Sequence, residues 1–132
     1  MNPQSRAHRI LRPLENFVTS REACSIPEEF RDVSLGEFIG LYRNRAEHVG
    51  DVAFFSEGMA WRESTEVLQV KYGEILYHSL PNEKKSLSLL VRLSSGREVL
   101  MPVTGVKDGK FFDALAVTRF LYRVVEDLQR RR

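Results

Sequence analysis

The sequence is poor in cysteine and in long apolar runs, and both absences narrow the class of protein. Cys24 is the one cysteine in 132 residues, so no disulfide can form within the chain. That composition fits a reducing compartment, and we expect a cytoplasmic protein. No apolar run approaches the roughly 18 residues of a membrane span. The first residues, MNPQSRAHRILRPLENF, lack the apolar stretch of a secretion signal.

Neither sign of charge dominates the chain. Its 20 basic and 18 acidic residues leave a net charge of +2, so no strong field attracts nucleic acid, and we expect no nucleic-acid partner. Aromatic and basic residues also do not interleave at strand spacing, as a single-strand binder requires. Hydrophobic residues make up 42% and charged residues 29%, which is typical of a folded soluble domain.

Residues with chemical reactivity are few and scattered. His8, His48 and His78 are far apart, and none has a second ligand at metal-binding spacing. No Gly-x-Ser-x-Gly motif is present. We therefore predict no catalytic residues, no metal and no cofactor, and we interpret His78 as a residue on the face of a strand. The acidic pair Glu126–Asp127 is predicted to lie on the exposed side of the last helix, with Glu126 pairing with Arg130.

The segment GVKDGK, residues 105–110, is the nearest approach to a phosphate-binding motif. A P-loop places four residues between its glycine and Gly-Lys and ends in Ser or Thr. Here three residues separate Gly105 from Gly109, and Phe111 stands in place of the hydroxyl residue. The spacing therefore favours a connection from a strand into a helix over a nucleotide site.

Apolar periodicity predicts several helical pieces in the first third of the chain. Residues 1–10 are polar and predicted to fray, a short helix is predicted near 11–20, and SIPEEF supports one further helical turn. The three- and four-residue steps in SLGEFIGLYRNRAEHV predict an amphipathic helix near 35–47, with a first strand as the alternative for residues 38–49.

After Gly50 the apolar period changes to two, which indicates strands. DVAFFSEGMAWRES predicts two strands around a Glu57–Gly58 turn, and EVLQVKY and EILYHSL predict two more, with a bend at Gly73 between them. SLSLLVRL and EVLMPV predict a hairpin in which Pro102 stands at an edge or a strand end. A long amphipathic helix is predicted over residues 111–130, with an apolar stripe of Val117, Phe120, Leu121, Val124, Val125 and Leu128.

This order of elements resembles the bacterial pleckstrin-homology-like (PH-like) family over roughly residues 50–130. The likeness includes a hairpin that shows Met59 and Trp61, and a Tyr-x-x-Ile step at Tyr72 and Ile75. The resemblance implies an α+β fold in which a small antiparallel β-barrel, or a strongly bent sheet of six or seven strands, is closed by the long C-terminal amphipathic helix. Residues 1–33 would be an N-terminal extension with short helical pieces, and residues 34–132 a single domain.

We interpret the chain as a non-enzymatic binding module whose partner is another protein, recruited at an exposed strand edge. A narrower form of this interpretation is an immunity or regulatory protein that neutralises one partner. The alternative is binding of an anionic ligand or phospholipid headgroup at a lysine-bearing end. The loops on either side of the 86–103 hairpin should share one end, where they collect Lys84, Lys85, Lys107 and Lys110; otherwise these lysines simply decorate loops.

Overall fold

The computed structural model describes residues 2–23, 25–44, 50–63, 65–79, 88–103 and 110–130. These residues form three α-helices, α1 (Pro3–Ile10), α2 (Ser20–Ala23) and α3 (Lys110–Arg130), and two 3-10 turns, Glu28–Phe30 and Tyr72–Glu74. They also form eight strands: β1 (Phe17–Thr19), β2 (Phe38–Tyr42), β3 (Val52–Phe55), β4 (Gly58–Glu63), β5 (Glu66–Lys71), β6 (Ile75–Ser79), β7 (Ser88–Leu93) and β8 (Glu98–Pro102). The predicted α+β class is confirmed.

The eight described strands make two antiparallel sheets. The larger has the order β1-β2-β3-β4-β5 and the smaller the order β6-β7-β8. The 3-10 turn Tyr72–Glu74 joins the sheets at the bend predicted around Gly73. The six strands predicted after Gly50 and the helix predicted over 111–130 are all present. The two further strands are β1, which lies where we predicted a helix, and β2, which lies where a first strand was the alternative to a helix.

The helix predicted over residues 35–47 is wrong in its described part. The alternative of a first strand within residues 38–49 is confirmed over residues 38–42, which form β2. Two glycines explain the difference. Gly36 has a φ of +85°, in the left-handed region, which no α-helix accommodates. A methyl group at Gly40 would collide with the ring of Phe17 on the neighbouring strand, so this glycine lets β1 and β2 approach. The spacing of the apolar residues fits both a helical period and the period of two of a strand. Pairing with β1 and β3 makes this segment a strand.

The helix predicted near 11–20 is also misplaced. Helix α1 spans Pro3–Ile10, which we expected to fray, and the chain then turns into β1. The side chain of Asn2 caps α1 by accepting a 2.8 Å hydrogen bond from the amide of Ser5. Pro13 ends the helical stretch, because it has no amide proton and restricts the residue before it. The single turn predicted for SIPEEF is confirmed as the 3-10 turn Glu28–Phe30.

The main core lies between the two sheets and helices α1 and α3. The predicted faces of the β7–β8 hairpin and the predicted stripe of α3 point into it; their fully buried members are Leu89, Val91, Met101, Val117, Phe120 and Leu121. The ring of Phe120 makes edge contacts with Phe54 at 5.4 Å and with Tyr72 at 5.8 Å between centroids. The hydroxyl of Tyr72 donates to the carbonyl of Phe55 at 2.8 Å. Helix α3 therefore packs on both sheets at once.

The five-stranded sheet is covered on its second face as well. A smaller apolar cluster lies there, made of Phe30, Leu35, Leu41, Ala53, Phe55 and Ala60. The segment that contains the 3-10 turn Glu28–Phe30 covers this face of the sheet. Because both faces of the central strands are buried, all four residues of β3 are buried, and its sequence VAFF is a continuous apolar run without alternation.

The N-terminal segment packs on the C-terminal helix. The guanidinium of Arg6 donates two hydrogen bonds, of 2.9 and 3.0 Å, to the carboxylate of Asp127. The exposed position predicted for Asp127 is therefore wrong: its exposed fraction is 8%, because α1 covers it. Glu126 does pair with Arg130, at 3.1 Å, as predicted.

Candidate functional site: the groove between β6 and α3

A groove of about 300 Å³ separates strand β6 from helix α3. Four consecutive residues of β6, from Ile75 to His78, form one wall. Helix α3 supplies the other wall from a single face, since its lining residues follow helical spacing: Tyr122, Val125, Glu126 and Gln129. This face is adjacent to the stripe that α3 buries in the core. Helix α3 therefore packs on the sheets with one face and lines the groove with the neighbouring face.

The groove carries large apolar side chains that remain in contact with solvent. Leu76 is 70% exposed, Tyr77 is 52% exposed and Tyr122 is 58% exposed. The pairing of β6 with β7 shifts register between Ile75 and Tyr77, and this irregularity presents consecutive side chains, at 76 and 77, to solvent. Single exposed apolar residues are common, whereas three around one groove make it a candidate binding surface.

Strand β6 is an edge strand of its sheet. In the described part of the chain it pairs with β7 alone. Natural edge strands are protected by charged residues, prolines or covering segments. The sequence ILYHS contains no Lys, Arg, Asp, Glu or Pro, and its residues 75–78 line the groove. Among the described residues, the second edge of β6 therefore has no strand partner.

His78 lies at the β6 wall as a half-buried residue, which agrees with its predicted place on a strand. Its Nδ1 atom is buried and has no hydrogen-bond partner among the described residues. Burial lowers the pKa of His78, so its imidazole is neutral at pH 7. The ring thus adds an uncharged polar atom to an otherwise apolar wall.

The charged residues of α3 lie beside the groove and are paired. Glu126 forms ion pairs with Arg123, at 3.7 Å, and with Arg130, at 3.1 Å. Because the pairs are local to the helix and largely exposed, they contribute little to stability. They neutralise the one carboxylate among the residues that line the groove.

The four lysines predicted to bind an anion are almost entirely outside the described residues. Lys84, Lys85 and Lys107 lie outside them, and Lys110 is the first residue of α3, with its side chain outside them. The flanking strands do share one end of the small sheet. Ser88 pairs with Pro102, and Ser79 pairs with Leu90.

A polar clamp joins the two sheets at that same end. The side-chain amide of Asn44 donates to the carbonyls of Gly50, at 2.8 Å, and Pro102, at 3.0 Å. The backbone amide of Asn44 donates to the carboxylate of Asp51 at 3.0 Å. Burial raises the pKa of Asp51, although this hydrogen bond and the charge of Arg43 oppose the rise. The clamp is a structural joint between β2, β3 and β8.

Two further properties concern the described residues only. No three side chains of His, Cys, Asp or Glu among them are grouped so that they could hold a metal ion. None of their helices combines the length and the apolar character that crossing a bilayer requires.

Sequence reasoning missed the groove because its parts are distant in the chain. In the sequence, Tyr122 lies mainly off the apolar stripe of the last helix, and no local pattern distinguishes Leu76 and Tyr77 from other strand residues. Two features of the sequence could have indicated the groove: the aromatic Tyr122 among polar residues of the last helix, and the absence of charged residues from ILYHS.

Comparisons of the chain with protein-family models, with curated proteins and with solved structures each found no match.

Proposed function

We propose that this protein is a non-enzymatic binding module that recruits a protein partner by adding an extended segment of that partner to the edge of β6. The observation that carries the proposal is the uncharged edge strand beside the exposed side chains of Leu76, Tyr77 and Tyr122. Main-chain hydrogen bonds to β6 would supply affinity, and the α3 wall would select side chains.

The residues that line the groove predict which side chains the partner segment should carry. Alternate residues of an added strand point to the same side, so every second residue would face α3. Those residues should be apolar, since they meet Tyr122 and Val125. Burying one large apolar side chain completely is worth roughly 1.5–3 kcal/mol, so two anchors and a few hydrogen bonds are enough for a reversible complex.

The fold supports assignment to the PH-like class as part of this proposal. Antiparallel strands followed by one long C-terminal helix support it, whereas the resemblance implies a single barrel or strongly bent sheet of six or seven strands and the eight described strands form two sheets. The proposed setting is the cytoplasm, and an immunity-like role in neutralising one partner is a narrower form of the same function. A one-to-one complex that blocks the partner's activity would distinguish that role from simple recruitment.

Peptide display tests the proposal. Linear peptides selected on the wild-type protein should share apolar residues at alternate positions. Their binding should weaken at least about tenfold with Leu76→Ser and with Tyr122→Ser, since each change removes an anchor worth more than 1.4 kcal/mol. Leu100→Ser is the matched control, because Leu100 is 59% exposed on β8 and lies outside the groove.

Amide chemical shifts give an independent readout. A bound peptide should shift the amide signals of residues 75–79 and 122–129 in the wild-type protein. Peptides that enrich but shift residues elsewhere, or that bind Leu76→Ser and Tyr122→Ser as well as wild type, would contradict the proposal.

A second candidate function is recognition of an anionic ligand, such as a phospholipid headgroup, by Lys84, Lys85, Lys107 and Lys110. It is favoured by the strand register, which brings the ends of the flanking segments to one end of the small sheet. Flotation with vesicles containing anionic lipid tests it. Wild type should float and the variant with all four lysines changed to alanine should not; equal behaviour of the two proteins would exclude it.

A further inference from the structure

Arginines lie beside the groove, on the solvent side of helix α3. Successive helical residues are about 100° apart, so the neighbours of each groove residue lie on its two sides. Leu121 and Val124, which come directly before two groove residues, are buried in the core. The residues that come directly after groove residues lie on the opposite side, and they include Arg123, Glu126 and Arg130. The arginines on this side form what we call the arginine row: Arg119, Arg123 and Arg130.

Two members of the arginine row converge on one carboxylate. Guanidinium nitrogens of Arg123 and Arg130 lie 3.7 and 3.1 Å from the same atom, Oε1 of Glu126. A single carboxylate compensates one of these two positive charges and leaves an excess of one. Because Glu126 itself lines the groove, this excess charge lies at the groove's edge.

Arg119 adds a further positive charge to the row. It is exposed, one helical turn before Arg123, and it forms no ion pair within the part of the chain that the structure describes. The other carboxylate in this half of α3 belongs to Asp127, and its two hydrogen bonds from Arg6 compensate it. The solvent side of the α3 wall is therefore positively charged, whereas the β6 wall carries no charge.

We propose that the protein segment bound at β6 is acidic, with Asp or Glu residues next to its apolar anchors that pair with the arginine row. This inference rests on the proposed function, because it specifies the partner of the same groove. A guanidinium holds a carboxylate with paired hydrogen bonds, and Arg clusters are a recurrent means of recognising acidic motifs. The same charges repel a basic segment, so the row also selects against the wrong partners.

The first probe is a library of random linear peptides, selected on the wild-type protein. Enriched peptides should combine apolar residues at alternate positions with a net negative charge. Replacing the acidic residues of one such peptide by their amides should weaken its binding roughly 1.5- to 5-fold for each ion pair lost, as for other exposed pairs. The weakening should be present at about 0.1 M salt and disappear at about 1 M, where the screening length falls from about 10 to about 3 Å.

Variants of the protein test the same pairing from the other side. Arg119→Gln and Arg123→Gln should each weaken the acidic peptide by a similar factor and leave binding of its amide form unchanged. Arg119→Gln removes no ion pair of the described protein, so its melting temperature should match wild type, and it carries the test if Arg123→Gln unfolds. Arg31→Gln is the matched control, because Arg31 is exposed and lies outside α3; it should bind both peptides like wild type.

The outcomes separate this inference from the function on which it rests. Enriched peptides that shift the amide signals of residues 75–79 but show no excess of acidic residues would overturn the inference and leave the proposed function standing. Failure to enrich any peptide that shifts those residues would overturn both. Equal weakening of the acidic and amide peptides by Arg119→Gln would overturn the pairing. Vesicles of anionic lipid that bind wild type but not the two arginine variants, without an acidic preference among peptides, would assign the row to a membrane surface instead.

Discussion

The hydroxyl of Tyr42 donates a 2.6 Å hydrogen bond to the carboxylate of Asp113, inside the protein. Tyr42 ends β2 and is 1% exposed, and Asp113 lies in the first turn of α3 and is 5% exposed. The bond therefore ties the five-stranded sheet to the helix that closes the fold. Burial raises the pKa of Asp113, repulsion from Glu15 adds to the rise, and the hydrogen bond from Tyr42 opposes it.

Asp113→Asn should stabilise the protein at neutral pH. Since the folded-state pKa is raised, the protonated form contributes stability that is fully present below the unfolded pKa of about 3.9 and is lost as pH rises through the folded value. The amide avoids that loss. Urea unfolding should give the variant an advantage at pH 7 that shrinks towards pH 4. A difference independent of pH would contradict this, and Asp32→Asn, on the surface, serves as the control.

Tyr42→Phe tests the hydrogen bond between Tyr42 and Asp113 by removing its donor. Removing a hydrogen bond to a charged group costs about 1.5–3 kcal/mol, whereas one to a neutral group costs about 0.5–1.5 kcal/mol. The substitution should therefore destabilise wild type at pH 7 more than it destabilises Asp113→Asn. Equal costs in the two backgrounds would show that the pair is not coupled.

Arg6→Gln should lower the melting temperature at pH 7. Hydrogen bonding by Arg6 lowers the pKa of Asp127, so the pair's contribution is present above the unfolded pKa of about 3.9. It is lost as pH falls through the lower folded value. The gap in melting temperature between wild type and the variant should close in acid. Arg9→Gln, exposed on the same helix, should melt like wild type; a gap that persists unchanged in acid would count against the ion pair.

His78→Gln should make the protein less sensitive to mild acid. Burial lowers the pKa of His78, so stability is full above the unfolded value of about 6.5 and is lost as pH falls through the folded value. Glutamine does not titrate. Between pH 7 and pH 5 the free energy of unfolding should therefore fall less in the variant than in wild type. His8→Gln, exposed on α1, is the control, and an identical fall in all three proteins would refute the prediction.

Asn16→Leu should raise the free energy of unfolding by about 1–3 kcal/mol, the usual cost of a buried polar group without a partner. Asn16 is 2% exposed, and neither atom of its side-chain amide has a hydrogen-bond partner among the described residues. Chemical denaturation measures the change. Destabilisation by a similar amount would show that the amide is satisfied in solution, for instance by ordered water.

Much of the secondary structure was readable from the sequence. The β7–β8 hairpin and helix α3 have apolar periods that fit their element types, Gly73 lies in the turn between β5 and β6, and Pro102 ends β8. Strand β3 is a continuous apolar run and was recognised with the help of the Glu57–Gly58 turn that follows it. The first third of the chain was not readable in this way. The apolar steps of residues 35–42 fit a helix as well as a strand, and the decision depended on the contact between Gly40 and Phe17.

The candidate groove was even less accessible to sequence reasoning. The residues of its two walls are 44 to 54 positions apart in the chain, from His78 to Tyr122 at the least and from Ile75 to Gln129 at the most, and only packing brings them together. Asp127 illustrates the same limit, because nothing near it in the chain indicates that Arg6 covers it.

The sequence by itself determined the α+β class, the hairpin faces and the long closing helix, because local periodicity decides which side chains a strand or helix can bury together. Tertiary structure alone decided that β6 is an edge, that Tyr122 faces it across a groove, and that α1 closes over Asp127. Those relationships depend on how separate elements pack, and packing energy comes from contacts between residues that no local pattern connects.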